Sequence, residues 1–174
     1  MNKKDTVVFD LDGTLLDTLE DLKNSVNYAM TQCGYPEHTL DEVRRYVGNG
    51  ILLLMQRAIP GGKDDPNFDK AFTLFKEHYG KHCNDTTKPY AGIMELLHTL
   101  KENNIKIAIV SNKADFAVKE LNAIYFKDLI PVAIGEKESE GIRKKPAPDT
   151  VIEALKQLGS TAENSVYIGD SDVD

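Results

Sequence analysis

Thr6-Val7-Val8-Phe9-Asp10-Leu11-Asp12-Gly13-Thr14-Leu15-Leu16-Asp17 ("TVVFDLDGTLLD") decides how this chain is read. An apolar run from Val7 to Phe9 stops at Asp10 and Asp12, and Gly13-Thr14 follow at once. The run has the length and continuity of a strand buried on both faces, as in a parallel sheet covered by helices. Ending it with two carboxylates is costly unless something compensates them, because a buried charge without a partner loses its hydration. Two residues apart at a strand end, Asp10 and Asp12 can point to the same side. Gly13 permits a tight turn and close backbone approach, and Thr14 adds a hydroxyl. The string also fits a plain turn. A calcium loop fits poorly, since that motif carries Gly at its sixth position and follows a helix.

Three further apolar stretches read as strands: Ile105–Val110, Pro131–Ile134 and Ser165–Ile168. Helical periods lie between them. In Gly92–Asn103, Ile93, Leu96, Leu97 and Leu100 share a face; in Pro148–Leu158, Ile152, Leu155 and Leu158 do so, with Gly159 as the stop. Strands alternating with helices predict an α/β layered fold with a parallel sheet. Residues 18–88 break that alternation with helical periods only. Thr18-x-x-Asp21 and Thr39-x-x-Glu42 read as helix starts. Leu19, Leu22, Val26, Met30 and Cys33 form one apolar face, and Phe68, Ala71, Phe72, Phe75 and Tyr79 another. The expectation is a discontinuous α/β core, residues 1–17 with 89–174, carrying an inserted helical domain at 18–88.

The design of the first strand recurs at "SVYIGDSDVD", where an apolar strand runs into Gly169 and then Asp170, Asp172 and Asp174. In doubly wound sheets ligands gather at the carboxyl ends of the strands. Asp10, Asp12, Asp170 and Asp174 would then crowd one crevice, and a divalent cation, Mg2+ in character, is needed to offset their repulsion. Ser111 ends another strand and offers a hydroxyl and nearby N–H groups to phosphate oxygens, although such a serine is also a common turn residue. Lys145 precedes Pro146, which restricts its backbone to extended geometry. Arg143 and Lys144 read as solvated surface charge.

Composition sets the outer limits. The chain has 174 residues, 28% of them charged and 41% hydrophobic, as in a water-soluble globular protein. A net charge of −7 argues against non-specific binding to nucleic acid or an anionic membrane. No apolar run approaches the roughly 20 residues of a membrane span. The charged start Asn2-Lys3-Lys4-Asp5 does not resemble a signal peptide. Cys33 and Cys83, without a CxxC pattern, read as free thiols of a reducing compartment. The expected location is cytoplasmic.

Taken in order, Asp10-Leu11-Asp12-Gly13-Thr14, Ser111, Lys145 and Gly169-Asp170 with Asp174 resemble the four motifs of the haloacid dehalogenase superfamily of aspartate-nucleophile phosphatases. The insertion at 18–88 resembles that family's helical cap. Within the superfamily, "YVGNG" (Tyr46–Gly50), "VSNK" (Val110–Lys113) and "KKPAPD" are similar to phosphoglycolate phosphatases.

The resemblance implies a Rossmann-like core and Mg2+ held by Asp10, the Asp12 backbone carbonyl and Asp170, with Asp174 as a direct ligand or holding a metal-bound water. It implies Asp10 as nucleophile, Asp12 as acid and base, and Ser111 and Lys145 as stabilisers of transition-state charge. Thr14, Gly48, Asn49, Gly50 and Asn112 join Ser111 and Lys145 as expected substrate or phosphate contacts. Gly48-Asn49-Gly50 would lie on a cap loop facing the aspartates, and also fits a plain helix–helix turn.

The implied partner is a small phosphorylated metabolite, 2-phosphoglycolate first, with no nucleic acid or membrane, and the expected state is a monomer or weak homodimer. Pyrophosphate, a nucleotide or a sugar phosphate as substrate, or a sugar phosphomutase reaction, use the same chemistry. A non-catalytic binding module is the alternative of another class. Family members continue beyond the position of Asp174 with further core elements, so the C-terminal part of the core is expected to be missing. A fragment of a longer protein is the favoured explanation, and a truncated form with impaired metal binding the alternative. Ser165–Ile168 would then be an edge strand.

Overall fold

The computed structural model describes residues 4–174. Asn2 and Lys3 of the charged start lie outside the described residues. The chain divides into two compact units, one of residues 1–16 with 89–174 and one of residues 17–88.

In the first unit a four-stranded parallel sheet runs in the order β5-β4-β1-β6. Its strands are β1 (Thr6–Phe9), β4 (Lys106–Ala114), β5 (Val132–Glu136) and β6 (Ser165–Ile168). A separate two-stranded pair, β2 (Leu16–Asp17) with β3 (Lys88–Pro89), lies where the chain passes from one unit to the other. Val8 sits beside Ala108 on one side and Tyr167 on the other, so β1 has a partner on both edges.

The unbroken apolar runs have a direct explanation in the packing. Val8, Ala108, Val110, Val132 and Ile134 enter a cluster with Ala154 and Leu155 of α7 (Asp149–Leu158). Phe9, Ile107 and Ile109 enter another, with Leu97 of α5 (Ile93–Glu102) and Val118 and Leu121 of α6 (Asp115–Tyr125). Successive side chains of a strand point to opposite faces, so two covered faces require apolar residues at every position.

Several elements differ in detail from the sequence expectation. β4 continues past Val110 to Ala114, with a register shift against β5 between those residues. The buried face of α7 is Val151, Ala154, Leu155 and Leu158, while Ile152 is 58% exposed. Leu96 of α5 is likewise exposed, at the margin of a face formed by Ile93, Leu97 and Leu100. Gly159 does end α7, in the left-handed conformation.

The second unit contains α1 (Leu19–Gln32), α2 (Leu40–Tyr46), α3 (Ile51–Ala58) and α4 (Phe68–His82). They enclose their own core of Val26, Met30, Val43, Leu54, Met55 and Phe75. The apolar faces expected for α1 and α4 pack there, Leu19, Cys33 and Phe72 being partly buried. Thr39 and Glu42 form a reciprocal capping box at the start of α2. Thr18 makes no side-chain cap bond, since its backbone is near-helical (ψ 0°) rather than extended, and the Asp21 carboxylate accepts hydrogen bonds from Thr86 and Thr87 instead. Cys33 is half-buried and Cys83 buried, and no disulfide joins them. Among the described residues no helix is long and apolar enough to cross a membrane.

Candidate active site

The site is built at the carboxyl ends of β1, β4 and β6 and on the segment leading into α7. The Asp10 N–H donates to the Ile168 carbonyl at 2.9 Å, so the sheet ladder fixes the backbone of Asp10 directly after β1. The chain then turns tightly, with Leu15 and Leu16 donating back to the Leu11 carbonyl. Gly13 has a φ of +81°, and a Cβ there would lie 2.3 Å from Asp170 Oδ2. Glycine at this position therefore serves both the turn and the approach of Asp170. The Thr14 hydroxyl donates to Asp170 Oδ1 at 3.0 Å. A second glycine makes room at the end of β6: a Cβ on Gly169 would fall 2.2 Å from Asp174 Cγ.

β4 delivers Ser111, Asn112 and Lys113, all buried. The Asn112 side chain binds the backbone of Lys145 in both directions. Its Nδ2 donates to the Lys145 carbonyl at 3.1 Å, and its Oδ1 accepts from the Lys145 N–H at 2.9 Å. This clamp sets the lysine's origin, and its side chain is only 4% exposed. Nζ lies 3.1 Å from Asp10 Oδ1, pairs with Asp174 Oδ1, and donates to the Tyr167 hydroxyl at 2.8 Å. Tyr167 in turn donates to the Val110 carbonyl at 2.8 Å. Asp174 Oδ2 accepts from the backbone N–H and hydroxyl of Ser171, both at 2.9 Å.

The electrostatics follow from these neighbours. Burial pushes the Asp10 carboxyl up to about 6; Lys145 opposes the rise, while Asp12 and Asp174 add to it. Burial acts in the same sense on Asp174, but the hydrogen bonds from Lys145 and Ser171 prevail and hold it below the ordinary carboxylate range. Burial and the nearby carboxylates push the Tyr167 phenol up, so it stays neutral.

The carboxylates of Asp10, Asp170 and Asp174 bring ligand atoms within 4.8 Å of one another. Asp10 Oδ1 is buried and receives no hydrogen bond, despite the ammonium beside it. An orphaned carboxylate oxygen within an all-oxygen donor set fits a hard divalent cation such as Mg2+. The Asp12 side chain is not part of this trio. Both its oxygens are engaged by Lys113, at 3.0 and 3.2 Å.

The remaining sequence candidates are placed differently. The Ser111 hydroxyl accepts a long bond from the Lys113 N–H at 3.4 Å. Gly48, Asn49 and Gly50 belong to the helical unit, where the two glycines have φ of +108° and +87° and Gly50 caps α3. Asn49 Oδ1 accepts from Arg57 at 2.7 Å, and the same guanidinium donates to the Tyr46 carbonyl.

In the sequence Tyr167 stands only as part of the apolar run Ser165–Ile168, and Lys113 only closes "VSNK". A phenol inside an apolar strand is a signal in itself, because a buried Tyr hydroxyl needs a partner. Lys113 carried no such local mark, as Asp12 is 101 residues away.

Comparison with known proteins finds relatives over nearly the whole chain. The profile of the haloacid dehalogenase-like hydrolases matches residues 7–174. A phosphoglycolate phosphatase of Aquifex aeolicus is 33% identical over 172 residues, covering 97% of this chain and 76% of that enzyme. One of Pseudomonas putida is 32% identical over 171 residues, covering 95% of this chain and 62% of that enzyme, so the chain spans less than two thirds of that relative. A solved structure from Lactobacillus delbrueckii subsp. bulgaricus, provisionally assigned as a phosphoglycolate phosphatase, superposes with a TM-score of 0.92 at 34% identity. That match covers 99% of this chain and 80% of the other. The chain belongs to the haloacid dehalogenase-like hydrolase family, as a phosphatase similar to the phosphoglycolate phosphatases.

Proposed function

We propose that this phosphatase hydrolyses a small phosphomonoester, 2-phosphoglycolate in the first instance, through a covalent intermediate on Asp10, with Mg2+ as cofactor. The observation that carries the reading is the Asp10 carboxylate itself. It is fixed at the end of β1, its Oδ1 is buried without a hydrogen bond, and the Lys145 ammonium stands 3.1 Å away. Asp10, Asp170 and Asp174 would hold the cation, together with the Asp12 backbone carbonyl. Bound there, it would neutralise charge between an anionic substrate and an anionic nucleophile.

The chain's own groups account for the rest. Asp10 attacks phosphorus; the new P–O bond forms as the bond to the alkoxide breaks, and Asp12 gives that alkoxide its proton. Asp12 then takes a proton from the water that attacks the aspartyl phosphate, releasing inorganic phosphate and restoring the Asp10 carboxylate. Lys145 and the Ser111 hydroxyl offset charge building on the phosphoryl oxygens, a role that depends on their being fixed in advance. The Asn112 clamp on the Lys145 backbone supplies that fixity. Residues 17–88 are proposed as a cap, with Gly48-Asn49-Gly50 contributing to substrate choice on the strength of the sequence similarity.

The test is phosphate release from 2-phosphoglycolate with Mg2+ and with a chelator, for the wild-type chain and Asp10→Asn. Turnover is expected to need the metal and to fall to background in the variant. Undiminished turnover in Asp10→Asn would rule out the covalent route. Metal-dependent turnover of other phosphomonoesters in preference to 2-phosphoglycolate would keep the chemistry and change the substrate.

A further inference from the structure

Lys113 is one of the best-buried charges in the molecule, with a side chain only 2% exposed. Its partner Asp12 is 26% exposed, so the ion pair is closed at the ammonium end and open at the carboxylate end. Desolvating an ammonium is costly, and a buried pair often adds little net stability over apolar residues of the same volume. Stability is therefore a weak reason for this pair, whereas its geometry has a definite consequence. Nζ meets both Asp12 oxygens, at 3.0 and 3.2 Å, which fixes the plane of the carboxylate as well as its position. Asp12 sits next to Gly13 on a turn, where the backbone alone leaves a side chain considerable freedom. Lys113 is carried on β4, two residues beyond Ser111, so the strand that brings the phosphate-binding hydroxyl also brings this ammonium.

We propose that Lys113 is a positioning residue that orients the Asp12 carboxylate for proton exchange with the leaving oxygen. The inference rests on the reaction proposed above and assigns Lys113 no contact with substrate. Removing the ammonium therefore harms the proton-transfer part of the reaction selectively. An alkyl phosphate needs its leaving oxygen protonated; p-nitrophenyl phosphate expels a stabilised phenolate and does not.

The experiment compares kcat/KM, which reports the reaction through phosphoryl transfer to Asp10, for two substrates in saturating Mg2+. One is p-nitrophenyl phosphate. The other is the fastest alkyl phosphate among 2-phosphoglycolate, glycerol phosphate and sugar phosphates. Lys113→Met is expected to lose about a hundredfold on the alkyl ester, the scale of general-acid catalysis, and less than about threefold on the aryl ester. Asp12→Asn should show the same discrimination, and adding Lys113→Met to it should cost nothing further on the alkyl ester. Lys113→Arg retains a cation and is expected to preserve the alkyl-to-aryl ratio within about tenfold, and Lys113→Gln, which keeps a polar head without the charge, takes the place of the Met variant should that fail to fold.

Equal losses on both substrates in Lys113→Met or Lys113→Gln would overturn the positioning role while leaving the phosphatase reading intact. Additive losses in the double variant would do the same. A wild-type chain inactive on every ester with Mg2+ present would overturn the parent reading and this one together.

Discussion

At the scale of single residues the site places charges where an apolar fold resists them, and Asp10 shows the cost. Its carboxyl is pushed up to about 6, against an ordinary value of 3.8, chiefly by burial. A carboxyl raised on folding binds a proton more tightly in the native state than in the unfolded chain. Its contribution to stability is complete below the unfolded value and is lost as pH rises through about 6. In a chelator, Asp10→Asn is therefore expected to melt at a higher temperature than wild type at pH 7, with the gap closing as pH falls towards 4. A lower melting temperature at pH 7 would show that the pairing with Lys145 outweighs the desolvation. The strand-end carboxylates could be read from a short window because each follows its own apolar run. The pairing of Asp12 with Lys113 could not, since it joins residues 101 apart and depends on how β4 ends.

At the scale of elements, legibility followed how cleanly each helix separates its faces. α1 and α4 show one apolar stripe each, and those stripes pack. α6 went unrecognised because Phe116 and Ile124 are apolar yet exposed, at 67% and 51%, while Ala117, Val118 and Leu121 are buried. Apolar residues on both faces blur the 3.6-residue period. The two expected helix starts divide by where their acids find hydrogen-bond donors. At α2 the Thr39 N–H donates to Glu42 Oε2 at 2.7 Å, and the Glu42 N–H donates back to the Thr39 hydroxyl. Thr39→Ala is expected to cost about 1 kcal/mol in urea unfolding. No measurable loss would mean that solvent satisfies the helix end equally well. Thr18-x-x-Asp21 has the same spacing, but its acid is taken by a more distant claim.

At the scale of the whole molecule that claim closes the helical unit. Asp21 is 1% exposed, yet it accepts from both the backbone N–H and the hydroxyl of Thr86 and of Thr87. One carboxylate near the start of residues 17–88 thus holds their last turn. An inserted unit enters and leaves its host chain at neighbouring points, and fixing its two ends together offsets part of the loop entropy of the insertion. Burial alone would raise the Asp21 carboxyl, but the hydrogen bonds from Thr86 and Thr87 outweigh it and hold the group below its ordinary value. The sign is opposite to that of Asp10. The native state binds the proton less tightly, so the stabilisation is present above the unfolded value near 4 and is lost as pH falls through the lower native one. Asp21→Asn keeps the shape but loses the charge, and hydrogen bonds to a charged acceptor contribute about 1.5–3 kcal/mol each. The variant is expected to be destabilised at pH 7 by an amount on the order of one such bond, and to lose less than wild type on acidification below pH 4. Hydrogen exchange at the amides of Thr86 and Thr87 locates the effect, since protection there should fall in the variant while β1 and β4 stay protected. Equal protection at Thr86 and Thr87 in both proteins would mean that the apolar core of the helices, rather than this carboxylate, closes the unit.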